Sequence, residues 1–533
     1  MKNLKSLRIR NLRSFGDEND FIPLKKLNIL VGKNSCGKST FLRTFPLLRQ
    51  SVQADTRSPI LWYGGLVDFG DLGTAVNFNS EEVLFDFDMM LNIDDEPDFL
   101  DRFLYFSGEH SEALPEFYFE TKYKPSFPVR FTLGMKKGKG LDAINRIFFE
   151  VENVTVEVLY RESEVLHVEL KLNGETVVYG FEGAEIQSKG NLIPTDFSSA
   201  KSLNSKPGGR PVTRIRTEFR SQLVEFMASM HHLNKKKINL SATTLKLKLL
   251  EKGKIYSQLR KVYAGDKAFL KNLELDKEDI VDRVFCYLVG ANLHRFLGAI
   301  DEALTEFYSG VRYLGPVRAS AERFYRYQDL QIAEIDHTGS NLPMVLNSLE
   351  AGERDKLNTW ISESFGFELK LTNTGSHYAL SIRESLGSEY HNVSDMGFGY
   401  SQLLPIIVSI WLENQSGRTE RNRRKLKGGT SQLVLAIEQP ELHLHPELQH
   451  KFGRMIAKIS KLQDSENFCF VLETHSKHII DSIGECIEEG EVDNDDVNIS
   501  LFEKSVDGFT KTSLSMFDDS GYLTDWPAGF LSP

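Results

Sequence analysis

The chain has 533 residues, a formal net charge of -11 and four cysteines. Its length allows two or three domains whose cores need no covalent staples. The scattered Cys36, Cys286, Cys469 and Cys486 exclude a CxxC zinc ribbon and a disulfide framework, which suits a reducing cytoplasmic setting. The negative balance excludes a surface that is basic all over, so any contact with nucleic acid would rest on local patches.

The N-terminus, MKNLKSLRIRNLRSF, alternates apolar and basic residues like a strand and does not read as a signal peptide. No segment approaches the roughly 18 apolar residues of a membrane span. Residues 3 to 31 read as two strands and a turn, closing on LNILV, and a helix opens at about Ser39. Between them lies GKNSCGKST, comprising Gly32, Lys33, Asn34, Ser35, Cys36, Gly37, Lys38, Ser39 and Thr40. This is a phosphate-binding loop: glycines let the backbone N–H groups face phosphate oxygens, Lys38 can reach the β- and γ-phosphates, and the Ser39 hydroxyl can ligate magnesium. The positive end of the following helix adds to the site.

From about 80 to 190, short alternating stretches such as HVELKLNGETVVYGF, with an Asn-Gly turn, predict an antiparallel lobe. From about 215 to 310, Ile280, Val284 and Leu288, then Leu293, Phe296, Leu297, Ile300 and Leu304, recur at helical spacing and predict a compact helical insertion. The chain thus divides into 1–200 (phosphate loop and antiparallel lobe), 201–312 (helical arm) and 313–533, where strands alternate with helices as in a parallel sheet.

In that last block, Ser394 to Val408 reads SDMGFGYSQLLPIIV and sets glycines and hydroxyls ahead of a helix, a second anion site. Its candidate residues are Ser394, Gly397, Phe398, Gly399, Ser401 and Gln402. LVLAIEQPELHLHP follows: an apolar strand carrying Glu438 at its carboxyl end, where it can hold the magnesium shell, then Gln439 and Glu441. A second apolar strand ends in VLETHS and brings His475 to the same crevice, able to sense or polarise a γ-phosphate. His443, His445, His450 and His478 suggest a metal site, but no cysteine or paired carboxylate completes a ligand set. A Ser-His-Asp hydrolase lacks a glycine-flanked nucleophile. Lys235, Lys236 and Lys237, and Arg421, Arg423 and Arg424 in RTERNRRKLK, form basic patches that suit either a phosphodiester backbone or plain solvent. The acidic stretch from Glu485 to Asp496 reads as solvated surface.

With these motifs in this order, the chain resembles the ABC-type ATPases of the SMC/RecF/overcoming-lysogenization-defect group. The resemblance implies an α/β fold: an ATPase head of mixed sheet, with an antiparallel β-lobe and a RecA-like core, plus a helical insertion arm. It further implies two heads enclosing two ATP molecules with magnesium. On that likeness GKNSCGKST is the Walker A loop, GFGYSQ a variant signature meeting the partner's γ-phosphate, LVLAIE the Walker B strand with Glu438, and His475 the switch histidine. Gln439 then stands where hydrolytic members carry a general base, and a glutamine can orient water but cannot take its proton. Either Glu441 substitutes or hydrolysis is slow. Asp68 and Asp71 in VDFGD are weak stand-ins for the loop that senses magnesium.

The strings FLRTFPLLRQS, YGGLVDFGD, YLGPVRAS, DHTGSNLP, EQPELHLHP and DWPAGF are similar to the PtuA-like ATPases of Septu-type anti-phage systems. That family implies an HNH nuclease partner of the PtuB type, and members also occur with a retron reverse transcriptase and its RNA-linked DNA. The segment after His475 is too short for a zinc-nuclease or TOPRIM-like module, so no nuclease activity is expected in this chain. The expected function is an ATP-binding, dimerising defence ATPase that regulates a partner nuclease; the alternative is a DNA-repair motor of the SMC/RecF type.

Overall fold

The computed structural model describes residues 4–54, 56, 58–93, 124–137, 142–161, 164–180, 184–199, 213–231, 237–244, 246–326, 332, 334–384, 388–416, 432–461, 468–524 and 526. The chain forms two compact units, one of Met1–Thr56, Ile60–Val83 and Thr305–Pro533, the other of Arg57–Pro59 and Leu84–Leu304.

A seven-stranded sheet organises the first unit. Its strands are β1 (Leu27–Gly32), β2 (Val311–Leu314), β3 (Leu433–Glu438), β4 (Phe468–Glu473), β5 (Val497–Lys504), β6 (Thr510–Phe517) and β7 (Leu523–Thr524), in spatial order β2-β3-β4-β1-β5-β6-β7. The five from β2 to β5 in that order run parallel, and β6 and β7 return antiparallel. Every residue of β1 and β4 is buried, which is why both read as apolar runs without alternation.

Four helices flank the functional end: α1 (Lys38–Gln53), α2 (Phe398–Ser416), α3 (Pro446–Lys461) and α4 (Lys477–Glu488). Pro446 opens α3, where its missing N–H costs nothing, and Phe452, Met455, Ile456 and Ile459 form its buried face. Ser476 caps α4 by accepting from the Ile479 N–H. A smaller antiparallel pair, Glu368–Thr374 with His377–Arg383, shares the hydrophobic core with α2 through Leu369, Leu380, Leu403, Leu404 and Ile407.

The second unit holds the antiparallel strands Ser126–Lys137, Asp142–Val151, Val154–Arg161, Glu164–Leu172 and Glu175–Gly180, paired in sequence order. Asn173 and Gly174, both at positive φ, make the expected tight turn between the last two. The helices pack on this sheet: Phe296 meets Phe127 and Phe149 with ring centroids 5.6 and 5.5 Å apart, and buried Asp301 accepts from the N–H groups of Asn191, Leu192 and Ile193. Ile280, Val284, Leu288, Leu293, Phe296, Leu297, Ile300 and Leu304 are all buried. Where the sequence reading divides the chain at 200 and 312, the contacts join the antiparallel strands and the helices in one unit ending at Leu304. Contacts between residues far apart in sequence, such as Phe149 with Phe296, make that core.

The loop DHTGSNLP is closed by one carboxylate. Asp336 accepts from the Thr338 N–H and hydroxyl, the Ser340 hydroxyl and the Asn341 N–H at 2.5 to 2.9 Å. Burial pushes this carboxyl up, but the hydrogen bonds outweigh it and hold Asp336 below its ordinary value. Asp336→Ala is expected to cost about 1–2 kcal/mol at neutral pH. Because the folded value is the lower one, that difference is fully present above the unfolded pKa of about 4 and shrinks as pH falls through the folded value, as urea denaturation at a series of pH values would show.

Candidate nucleotide site

Ligands of an open parallel sheet bind at the carboxyl ends of its strands, and the loop from Gly32 to Gly37 lies at the end of β1, between β4 and β5. A Cβ at Gly32 would lie 2.3 Å from the Phe502 carbonyl oxygen, so this approach of β1 to β5 admits only glycine. Gly37, at φ 99°, is the N-cap of α1. Lys38 is 3% exposed and folds back over the loop, its Nζ donating to the Gly32 and Lys33 carbonyls at 3.0 and 2.8 Å. Burial lowers its ammonium, while Glu473 draws it up.

Three acids gather at the neighbouring strand ends. Glu438, 2% exposed at the end of β3, is gripped by Arg43: Nε to Oε1 at 2.7 Å and Nη2 to Oε2 at 2.9 Å, with the Tyr313 hydroxyl donating to Oε1 at 2.8 Å. Glu473, 3% exposed at the end of β4, accepts from the Ser39 hydroxyl at 2.9 Å and lies 3.8 Å from Lys38 Nζ. Its other oxygen, Oε2, is buried without a partner, and burial raises its carboxyl above the ordinary range. Glu441 accepts from the Thr474 hydroxyl at 2.9 Å and the His475 N–H at 2.7 Å, and burial raises it too.

The connecting residues are equally constrained. Gln439 stands at φ 42°, an unusual left-handed position for a side chain of its size. Its N–H donates to the Glu473 carbonyl at 2.8 Å, while its side-chain amide makes no hydrogen bond among the described residues. His475 is half-buried with Nε2 unpartnered, and burial followed by the Lys38 charge lowers its pKa. Arg318 is 2% exposed; Nη2 donates to the Glu438 carbonyl at 2.8 Å, Nε and Nη1 have no partner, and burial brings the guanidinium down to about 10.

The glycine-rich approach to α2 splits into two kinds of residue. Ser394, Gly397 and Phe398 are exposed, with Gly399 half-buried. Ser401 turns inward and donates to the Phe398 carbonyl at 2.8 Å, and Gln402 forms a two-way clamp on the Arg318 backbone at 3.1 Å each way. Among the described residues, no hydrogen bond joins Ser394 or Ser401 to the phosphate loop; the start of α2 meets the ELHLHP loop instead, with Phe398 and His443 ring centroids 5.7 Å apart.

The other candidates fall elsewhere. Asp71 caps the short helix Leu72–Ala75 in a capping box with Thr74, and Asp68 accepts from the Gly70 N–H, so both serve the local turn. No group of three or more His, Cys, Asp or Glu able to hold a metal ion occurs among the described residues, and His450 pairs with Glu485. Arg421, Arg423 and Arg424, together with Lys235 and Lys236, lie outside the described residues, and Lys237 opens the helix Lys237–Thr244. Arg43, Tyr313, Arg318 and Glu473 are site residues that motif reading passes over, although Arg43 stands in FLRTFPLLRQS and Tyr313 and Arg318 in YLGPVRAS.

These residues fit a nucleotide with its magnesium ion. The backbone N–H groups of 33–37 donate no hydrogen bond among the described residues, the Ser39 hydroxyl stands at the loop's cation position, and a carboxylate oxygen beside it lacks a partner. A loop of this kind, on a buried parallel strand with acids on the adjoining strand ends, defines a P-loop nucleotide-binding protein. The chain belongs to the AAA ATPase domain family AAA_15, whose model matches residues 1–108 and 217–480. Comparison with curated proteins gives no match.

Among solved structures, the Smc head domain of Pyrococcus furiosus, with an extended coiled coil and bound to the C-terminal domain of ScpA, is similar at 13% identity, covering 96% of each chain with a TM-score of 0.32. The Smc head domain of Pyrococcus yayanosii, with a coiled coil and joint, is similar at 11% identity, covering 98% of each chain with a TM-score of 0.32.

Breaking a buried ion pair from one side leaves an uncompensated charge. Arg43→Met is therefore expected to destabilise the fold by about 3 kcal/mol, and Arg43→Met combined with Glu438→Leu to recover most of that loss, as measured by a denaturation double-mutant cycle.

Proposed function

We propose that the chain is an ATP-binding switch: an ABC-type head that pairs with a second copy around ATP and magnesium, and in that state governs an HNH nuclease partner in anti-phage defence. The observation that carries the switch reading is Gln439. It follows the strand-end acid Glu438 where a hydrolytic site would place its general base, and Glu441, the nearest substitute, is already engaged by Thr474 and His475. Losing a positioned base typically costs about 100- to 10,000-fold in rate.

The exposed Ser394, Gly397 and Phe398 at the start of α2 support the pairing, since a helix start open to its surroundings can meet the phosphate held by another copy. The nuclease partner, and with it a retron reverse transcriptase and its RNA-linked DNA, rests on the sequence strings shared with Septu-type ATPases. No helix among the described residues is long and apolar enough to cross a membrane, and the proposed setting is the cytoplasm.

Two measurements test this. Nucleotide binding should be lost in Lys38→Ala. Steady-state turnover of the wild type should be slow and should rise about 100-fold or more in Gln439→Glu. Fast wild-type turnover, stimulated by DNA and abolished by Glu438→Gln, would instead identify a DNA-repair motor. Co-purification with the product of an adjacent HNH gene tests the partner; a gene without such a neighbour counts against the defence reading.

A further inference from the structure

We propose that Glu473, not Glu438, is the carboxylate that meets the divalent cation of the bound nucleotide, while Glu438 is kept in the Arg43–Tyr313 network. This inference rests on the ATP–magnesium reading above. It revises the assignment that motif position gives, where the acid closing the LVLAIE strand takes the cation.

Strand order and register come first. Glu438 and Glu473 are direct partners across β3 and β4, and Glu473 is in turn opposite Leu30 of β1, the strand that carries the phosphate loop. Neighbouring strands lie about 4.8 Å apart, so Glu473 stands one strand spacing from the loop strand and Glu438 two. The Ser39 hydroxyl, which a P-loop offers to magnesium, already donates to Glu473 Oε1 at 2.9 Å.

The unfilled valences separate the two acids further. Both oxygens of Glu438 are occupied by Arg43, and Oε1 also by Tyr313, so using it as a ligand would strip a half-buried guanidinium of its counter-ion. Glu473 Oε2 has no partner although the residue is 3% exposed. A buried carboxylate oxygen without a donor is costly, and protonation removes the charge but leaves the new O–H without an acceptor. Lys38 Nζ, 3.8 Å from Oε1, offsets part of the charge but is committed to the Gly32 and Lys33 carbonyls. A divalent cation satisfies the remaining oxygen directly. One carboxylate with a serine hydroxyl, phosphates and waters is the oxygen set magnesium favours.

The test measures the affinity of the full chain for a fluorescent, non-hydrolysable ATP analogue, with magnesium and with EDTA. The wild type should bind more tightly with magnesium. Glu473→Gln should keep its EDTA affinity, showing an intact loop, while its magnesium-dependent gain falls by roughly 10- to 100-fold. Glu473→Asp, which keeps the charge on a shorter arm, should return part of the gain, and Arg43→Met combined with Glu438→Leu, which removes both partners of the ion pair, should retain it. Manganese bound with the same analogue should give an altered electron paramagnetic resonance spectrum in Glu473→Gln only. A full gain in Glu473→Gln, or a loss of the gain in the combined Arg43→Met and Glu438→Leu variant, overturns the inference and leaves the ATP reading standing. A wild type that binds no nucleotide under either condition overturns both.

Discussion

Glu438 ends a buried strand with its carboxylate 2% exposed, and Arg43 and Tyr313 are what allow it to remain there. Removing a carboxylate from water costs several kcal/mol unless donors of good geometry replace the solvent. That requirement fixes much around it. The helix α1 must pack against β3 to deliver Arg43, and β2 must lie beside β3 to bring Tyr313. The same strand end gives its carbonyl to Arg318, whose backbone is clamped by Gln402 of α2. A continuous polar path therefore runs from the phosphate-loop helix through the strand-end acid to the glycine-rich helix start.

The loop between β3 and α3 holds the next strand end just as firmly. Gln439 bonds to the Glu473 carbonyl, while Glu441 takes the Thr474 hydroxyl and the His475 N–H. Three consecutive residues, an acid, a hydroxyl and an imidazole, are thus positioned by residues 439–441. The left-handed backbone at Gln439 is tolerable because its N–H has a fixed acceptor there. A shift of this loop would reach Glu473 and His475 together.

What could be read from the sequence follows from where the information lies. The phosphate loop is legible because its chemistry is compressed into one short run, and β3 and β4 because parallel strands buried along all or nearly all of their length are plain apolar runs. The Asn173–Gly174 turn was equally local. Glu473 was not legible in this way: it reads as the last letter of an apolar strand, and its partner Ser39 is 434 positions away. Arg43 and Glu438 are likewise separated by 395 positions, so neither advertises the other. The inward turn of Ser401 depends on the packing of α2, and the acids of VDFGD look alike in sequence whether they serve a cation or cap a turn. The unit boundary at Leu304 arises from aromatic contacts between strand and helix that no composition change marks.

The spacing of Ser39 and Arg43 has a geometrical meaning. A helix repeats about every 5.4 Å along its axis, and strands in a sheet lie about 4.8 Å apart; the two periods come from unrelated hydrogen-bond patterns yet are nearly commensurate. A helix laid across strand ends can therefore serve successive strands with side chains four residues apart. In α1 the first turn serves the acid of β4 through Ser39, and the next serves the acid of β3 through Arg43. Inserting one residue between them would rotate Arg43 by roughly 100° about the helix, leaving Ser39 in register and Glu438 without its cation. The helix thus acts as a vernier between two lattices, and its phase, as much as its composition, is what sets Ser39 and Arg43 on their two acids.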